Sequence, residues 1–197
     1  MSQATRSASV ARTTKETAVE LSLVLDGSGS TDISTGIGFL DHMLELFAYH
    51  GRFDLTLHAK GDLQVDGHHT VEDIGLVLGQ ALQEALADKA GIRRYGSCLL
   101  PMDEALALVA VDVSGRPFLV YDANVAPSRL GDYDTELTQH FLRSLVTRAA
   151  ITVHVRLLSG DDAHHQIEAV FKGLARALRE ACSPGGGDAV PSTKGVL

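Results

Sequence analysis

Tryptophan is absent from this chain, and aromatic residues make up only 5% of its 197 positions. Leucine, valine, isoleucine and alanine must therefore fill the interior, and the apolar fraction of 45% suits an ordinary globular core. Only two cysteines occur, Cys98 and Cys182. One possible disulfide is a poor framework for a secreted fold, so two buried, reduced thiols and a cytoplasmic address are expected. Basic residues are the minority, 17 Lys and Arg against 25 Asp and Glu, for a formal net charge of −8. That balance, with no aromatic–basic face, argues against nucleic acid as a partner. No apolar run is long enough to span a bilayer, and the polar stretch Met1 to Arg12 lacks the apolar region of a signal peptide.

What the chain does have is histidine in a repeated arrangement. One cluster reads Asp66-Gly67-His68-His69-Thr70-Val71-Glu72, the other Asp162-Ala163-His164-His165-Gln166-Ile167-Glu168. Each has Asp, a spacer, two His, two spacers and Glu. A lone His-His pair is ordinarily surface or capping chemistry; two copies, each opening a helical pattern, point to a duplicated metal site. On a helix, residues three or four apart share a face, so each Glu can reach the side of a preceding His. Adjacent residues diverge by about 100°, so two neighbouring histidines more naturally serve two different ions. Asp66 and Asp162 stand where an N-cap would, which puts the histidines in the first helical turn.

The duplication extends beyond these clusters. A shift of 96 positions, the separation of His69 and His165, lays Phe53–His58 on Ala149–His154, both reading as strands. The same shift lays Ile74, Leu78, Ala81, Leu82 and Ala85 on Val170, Leu174, Ala177, Leu178 and Ala181, an amphipathic helical stripe. A two-residue adjustment brings His42 onto His140, and Leu23–Asp26 resembles Ala110–Val113 in type. The chain therefore reads as a duplicated α/β unit, an α+β sandwich. Strands are expected near Thr14–Asp26, Thr31–Ile37, Asp54–Lys60, Gly96–Leu100, Glu104–Val113, Phe118–Asp122 and Ala150–Leu157. Helices are expected at Gly38–His50, His68–Ala87, Thr135–Thr147 and Ala163–Ala181. The expected organisation is a flexible N-terminus (1–10), a first half (11–92), a second half (93–182) and a Gly/Pro-rich tail (183–197) suited to a lid. His58 and His154 match between the halves and read as structural, and His50 as a helix-end residue.

With His42 and His140 there are eight candidate ligands: His42, His68, His69, Glu72, His140, His164, His165 and Glu168. Divided between two ions they supply four each, leaving open positions on a six-coordinate metal for substrate. Imidazole and carboxylate without thiolate suit Mn²⁺, Fe²⁺, Ni²⁺ or Zn²⁺ alike, and open positions favour catalysis over a closed structural site.

These clusters, with Arg12-Thr13-Thr14-Lys15-Glu16-Thr17, Gly38-Phe39-Leu40-Asp41-His42-Met43, Asp103-Glu104-Ala105 and Pro191-Ser192-Thr193-Lys194-Gly195-Val196, closely resemble the imidazoleglycerol-phosphate dehydratase family. The resemblance covers about Ala11 to Leu197. It implies two halves, each a four-stranded mixed sheet with helices on one face. It also implies two Mn²⁺ ions per active site with ligands from neighbouring subunits, and a homo-oligomeric shell of twenty-four subunits built from trimers. The implied activity is a hydro-lyase step of histidine biosynthesis, from imidazole glycerol phosphate to imidazole acetol phosphate. The proton to be lost is barely acidic, so a metal-bound imidazolate and a diazafulvene-like intermediate are expected, with the metals as Lewis acids and template. Glu16 is the leading candidate for a proton transfer and a substrate contact, with the ligands His69 and Glu168 as further catalytic candidates. Arg94, Arg116, Lys172, Ser192 and Lys194 are the matched candidates for the phosphate. The competing readings are an inert metal-assembled shell, which leaves Glu16 and the phosphate cluster without work, and a dinuclear phosphoester hydrolase, whose ligand sets usually lean on Asp.

Overall fold

The computed structural model describes residues 5–197. The first half runs β1 (Ser7–Thr13), β2 (Thr17–Val24), β3 (Thr31–Ser34), α1 (Gly38–Gly51), β4 (Asp54–Gly61) and α2 (His68–Leu86). The second half runs β5 (Tyr95–Met102), β6 (Ala105–Asp112), β7 (Phe118–Asp122), the short hairpin β8 (Arg129–Leu130) and β9 (Tyr133–Asp134), α3 (Leu137–Ala149), β10 (Thr152–Ser159) and α4 (Ala163–Cys182). The two main sheets have the same topology, β1-β2-β4-β3 and β5-β6-β10-β7. In each, the last pair is parallel and the others are antiparallel. The expected duplicated, mixed four-stranded sheets are therefore present.

Period-two patterning decides which face of each sheet is covered. In β2, Thr17, Val19, Leu21 and Leu23 are buried while their neighbours are exposed or only half-buried. In β6 the buried set is Ala105, Ala107, Val109 and Val111. Helix α2 packs on β1 and β2, and α4 on β5 and β6. The helices then meet across the halves, α2 against α3 and α1 against α4, so the helical layer lies between the two sheets. Among the described residues no helix is long and apolar enough to cross a membrane.

The structure revises the sequence reading in four places. Residues 7–10, assigned to a flexible start, belong to β1, whose Val10 is buried and which pairs with β2 along its whole length; residues 1–4 lie outside the described residues. Arg6 secures the entry to this strand, donating to Asp26 at 2.8 and 2.5 Å and to the Cys182 carbonyl at 2.5 Å. The repeat register at β2 and β6 also differs. Leu57 opposes Leu21 and its counterpart Val153 opposes Val111, an offset of 90 (21 to 111). Matching Leu23 to Ala110 used an offset of 87, and an odd difference sends every side chain to the wrong face. The β8–β9 hairpin was missed because two-residue strands carry no periodic signal. Finally, Cys182 is buried but Cys98 is only half-buried.

The halves are not packed identically. In α2 a Cβ on Gly75 would lie 2.7 Å from the Phe141 carbonyl oxygen, and one on Gly79 would lie 2.5 Å from that of Leu145. These glycines let the α2 and α3 backbones approach closely. The positions 96 residues on, Phe171 and Ala175 of α4, carry side chains, and Phe171 stacks on Phe141 with ring centroids 5.3 Å apart. Gly79→Ala should therefore destabilise the fold. Overpacking costs about 1–3 kcal/mol, against roughly 1 kcal/mol gained from alanine in a helix interior. A urea midpoint that fell would agree; one that held or rose would mean that the two helices separate without cost.

Candidate metal centre

The first turn of each long helix is built around a carboxylate. Asp162 caps α4, its side chain accepting the backbone N–H of His164 at 2.7 Å and of His165 at 3.2 Å. Asp66 accepts the His68 N–H at 2.8 Å, although the capping position of α2 is Gly67. The start of α1 is fixed by Asp41, whose carboxylate accepts from the Thr35 amide at 2.9 Å and the Thr35 hydroxyl at 2.5 Å. His42 follows directly.

The starts meet in pairs, α1 with α4 and α2 with α3. His42 from α1 meets His164 and Glu168 from α4, with one ligand atom from each inside 4.8 Å of the others. The Glu168 carboxylate is 3.1 Å from His164 Nε2 and 3.7 Å from His42 Nε2. The counterpart from the other pair of helices is His140 with His68 and Glu72. The His68 and His140 rings are 4.7 Å apart, and Glu72 is 3.8 Å from His68 Nε2. This second group is looser, and it borders a hollow of about 200 Å³ also lined by Asp66, Asp134 and Glu136. Each trio takes one histidine from one half and a His–Glu pair from the other, so neither half holds a complete set.

The second histidine of each pair stands outside its own trio, 6.2 Å from its neighbour's ring centroid. His69 Nδ1 lies 3.0 Å from Asp62 and 3.9 Å from Glu16. His165 Nδ1 lies 2.8 Å from Glu104. Both histidines are held above their ordinary pKa, chiefly by these carboxylate hydrogen bonds. Glu104 is pulled down to about 2, first by the Asp162 backbone N–H and then by His165. Burial alone would raise the Glu168 carboxyl, but the hydrogen bond and charge of Lys172, then His164, outweigh it and leave it below the usual range.

Glu16 occupies the tip of the β1–β2 hairpin with its side chain 56% exposed. The hairpin is anchored from behind. The buried Asp73 of α2 accepts from Arg12 Nε at 2.8 Å and from the Thr17 hydroxyl. The position 96 residues on from Asp73 is Ala169, so this anchor exists only in the first half.

The phosphate candidates separate into two groups. Arg94, Arg116, Ser192 and Lys194 line one hollow of about 300 Å³. Lys172 lies elsewhere, hydrogen-bonded to Glu168. Arg94 is already committed, gripping Asp112 at 2.7 and 3.2 Å and the Pro191 carbonyl at 3.0 Å. It anchors the tail, while Arg116 is 69% exposed, its guanidinium 3.7 Å from Asp112 and donating to the Ser114 carbonyl at 3.3 Å. Asp62, Asp73 and Glu104 received no role from sequence. The signal that could have found Glu104 is its place in the Asp103-Glu104-Ala105 motif; Asp62 and Asp73 stand near the His-His segment without any distinguishing pattern.

The family model for imidazoleglycerol-phosphate dehydratase matches residues 35–178. The imidazoleglycerol-phosphate dehydratase of Acetivibrio thermocellus is 56% identical over 189 residues, covering 95% of this chain and 97% of that protein. That of Azorhizobium caulinodans is 54% identical over 194 residues, covering 98% of each. Among solved structures, the enzyme from Staphylococcus aureus superposes with a TM-score of 0.82 at 42% identity, covering 90% of this chain and 99% of that one. The one from Pyrococcus furiosus gives 0.83 at 40%, covering 95% and 100%. With both halves, both histidine clusters and nearly its whole length accounted for, the chain belongs to the imidazoleglycerol-phosphate dehydratase family.

Proposed function

We propose that this chain dehydrates imidazole glycerol phosphate to imidazole acetol phosphate in histidine biosynthesis, using two Mn²⁺ ions per active site in a cytoplasmic homo-oligomer. The observation that carries the metal reading is the pair of trios, His42–His164–Glu168 and His140–His68–Glu72, each assembled from both halves. The donors fit a divalent transition ion. They are imidazole and carboxylate without thiolate, and the ligand atoms of His42, His164 and Glu168 lie within 4.8 Å of one another. Bound there, the ions would supply Lewis acidity and a template for the substrate.

The chain's own residues supply the rest. Net loss of water needs one proton delivered to the departing hydroxyl and one removed from carbon. Glu16 is suited to that work because its carboxylate is exposed at a hairpin tip, beside His69. His69, beside Glu16, and Glu168, in the His42–His164 trio, are the other candidates. Arg116 and Lys194, with Ser192, suit the phosphate, because they share a hollow whose tail side is pinned by Arg94. The tail 183–197 thereby becomes a cover over bound substrate. His69 and His165, outside the trios of their own chain, complete the ion sites of neighbouring copies. That sharing is what would make a large shell, of twenty-four chains built from trimers, depend on metal. An inert shell has no use for the Arg116 hollow, and a hydrolase reading has the family's named activity against it.

The direct test strips the metal and adds Mn²⁺ back while following ketone formation and mass by light scattering. Activity and a large assembly should return together; assembly without turnover, or phosphate release in place of ketone, would overturn the reading. Glu16→Gln should keep both ions but lower kcat by about 10²–10⁴-fold, the usual contribution of a proton-transfer group; retained turnover would remove Glu16 from the mechanism. Arg116→Ala should lower kcat/KM by about 10–100-fold, in line with ~1.5–3 kcal/mol for a hydrogen bond to a charged group. The loss should fall mainly on KM, and an unchanged KM would place the phosphate elsewhere.

A further inference from the structure

The pseudo-symmetry of the halves sets two problems side by side. His69 and His165 are equivalent, yet different elements hold them. In the first half Asp62, just beyond β4, bonds to His69 Nδ1 at 3.0 Å. The position 96 residues on from Asp62 is Leu158, an exposed residue that cannot hydrogen-bond a ring nitrogen. In the second half the partner comes instead from the hairpin between β5 and β6, where Glu104 Oε2 lies 2.8 Å from His165 Nδ1.

The hairpins differ to match. Between β1 and β2 the closing pair is Thr13 and Ala18, leaving Thr14–Thr17 at the tip. Between β5 and β6 the closing pair is Met102 and Ala105, leaving only Asp103 and Glu104. Glu16 lies two residues before Ala18 and Glu104 directly before Ala105, while the second tip also carries Asp103, 3.7 Å from His165 Nε2. Glu16 is exposed, and among the described residues its side chain accepts no backbone N–H. Glu104 is clamped. Its Oε1 accepts the backbone N–H of Asp162 at 2.9 Å and of Asp161 at 3.2 Å, in the loop that opens α4. One oxygen is fixed to the helix start, and the other aims at the histidine on that helix.

We infer that Glu104 is a positioning residue, which fixes the orientation and tautomer of His165 so that its Nε2 faces a metal ion. An ionised carboxylate only accepts hydrogen bonds, so Nδ1 must carry the proton and Nε2 keeps its lone pair. Carboxylate partners of this kind orient metal-bound histidines, and losing one typically costs 10–100-fold in metal affinity. Asp62 does the same for His69, which leaves Glu16 free of that duty. The inference rests on the reading of His165 as a metal ligand.

Glu104→Gln separates this role from a merely structural one. The glutamine oxygen still accepts the Asp161 and Asp162 amides, so the loop is kept. Its NH₂ group then faces His165 Nδ1, which must accept; the proton moves to Nε2 and the lone pair is lost. The experiment is a titration of metal-stripped protein with Mn²⁺, reading free ion by electron paramagnetic resonance, with a thermal melt of the metal-free protein. The wild type should take up two ions per chain. Glu104→Gln should bind one set of ions about 10–100-fold more weakly with its metal-free melt unchanged, while Glu16→Gln binds as the wild type. Equal uptake by Glu104→Gln and wild type would overturn the role of Glu104 alone. Weaker uptake with an equally lowered metal-free melt would make it a structural clamp. No uptake by the wild type would overturn the metal reading itself.

Discussion

The site depends on helices from opposite halves meeting at their first turns. His42 reaches His164 and Glu168 only because α1 packs on α4, and His140 reaches His68 only because α2 packs on α3. Each sheet buries one face under its own helices, and the remaining apolar stripes of those helices can be covered only by the other half. The hydrophobic requirement and the ligand geometry are thus met by the same contact. A half by itself would leave an apolar helical face in water and an incomplete set of donors.

Duplication has been followed by divergence at specific positions, and the divergence is physically legible. Gly75 and Gly79 bring α2 against α3, whereas Phe171 and Ala175 fill the equivalent positions of α4. Asp62 corresponds to Leu158, Asp73 to Ala169, and a four-residue hairpin tip to a two-residue one. Two of these three exchanges concern what lies behind a second histidine or beside a hairpin carboxylate. The symmetric part of the molecule gathers donors; the asymmetric part decides how the groups around them are held.

Much of this was visible in the sequence because it was written twice. The 96-residue offset exposed both histidine clusters and the stripe from Ile74 to Ala85, and helical period carries information over many residues. β1 was not visible, since Ser7–Thr13 is polar with a single buried side chain, Val10, and its stability comes from pairing with β2 and from Arg6. The duty of Glu104 was hidden for a different reason. Its partners His165, Asp161 and Asp162 lie 57 to 61 residues away, and no local pattern reports a contact across that separation. Lys172 was read with the arginines because the family resemblance matched it, and its place one turn beyond Glu168 is where the structure lets it bond that carboxylate.

The reciprocal exchange of donors between halves bears on how this molecule can change. A substitution that shifts α1 moves His42 against groups encoded more than a hundred residues later, so neither copy can drift independently of the other. Effects of mutation should be non-additive across the join between α2 and β5, where a simple two-domain protein would show independence. An insertion at that join loosens both trios at once, which makes a short loop, held by the buried Lys89 and Ile92, one of the least tolerant places in the chain.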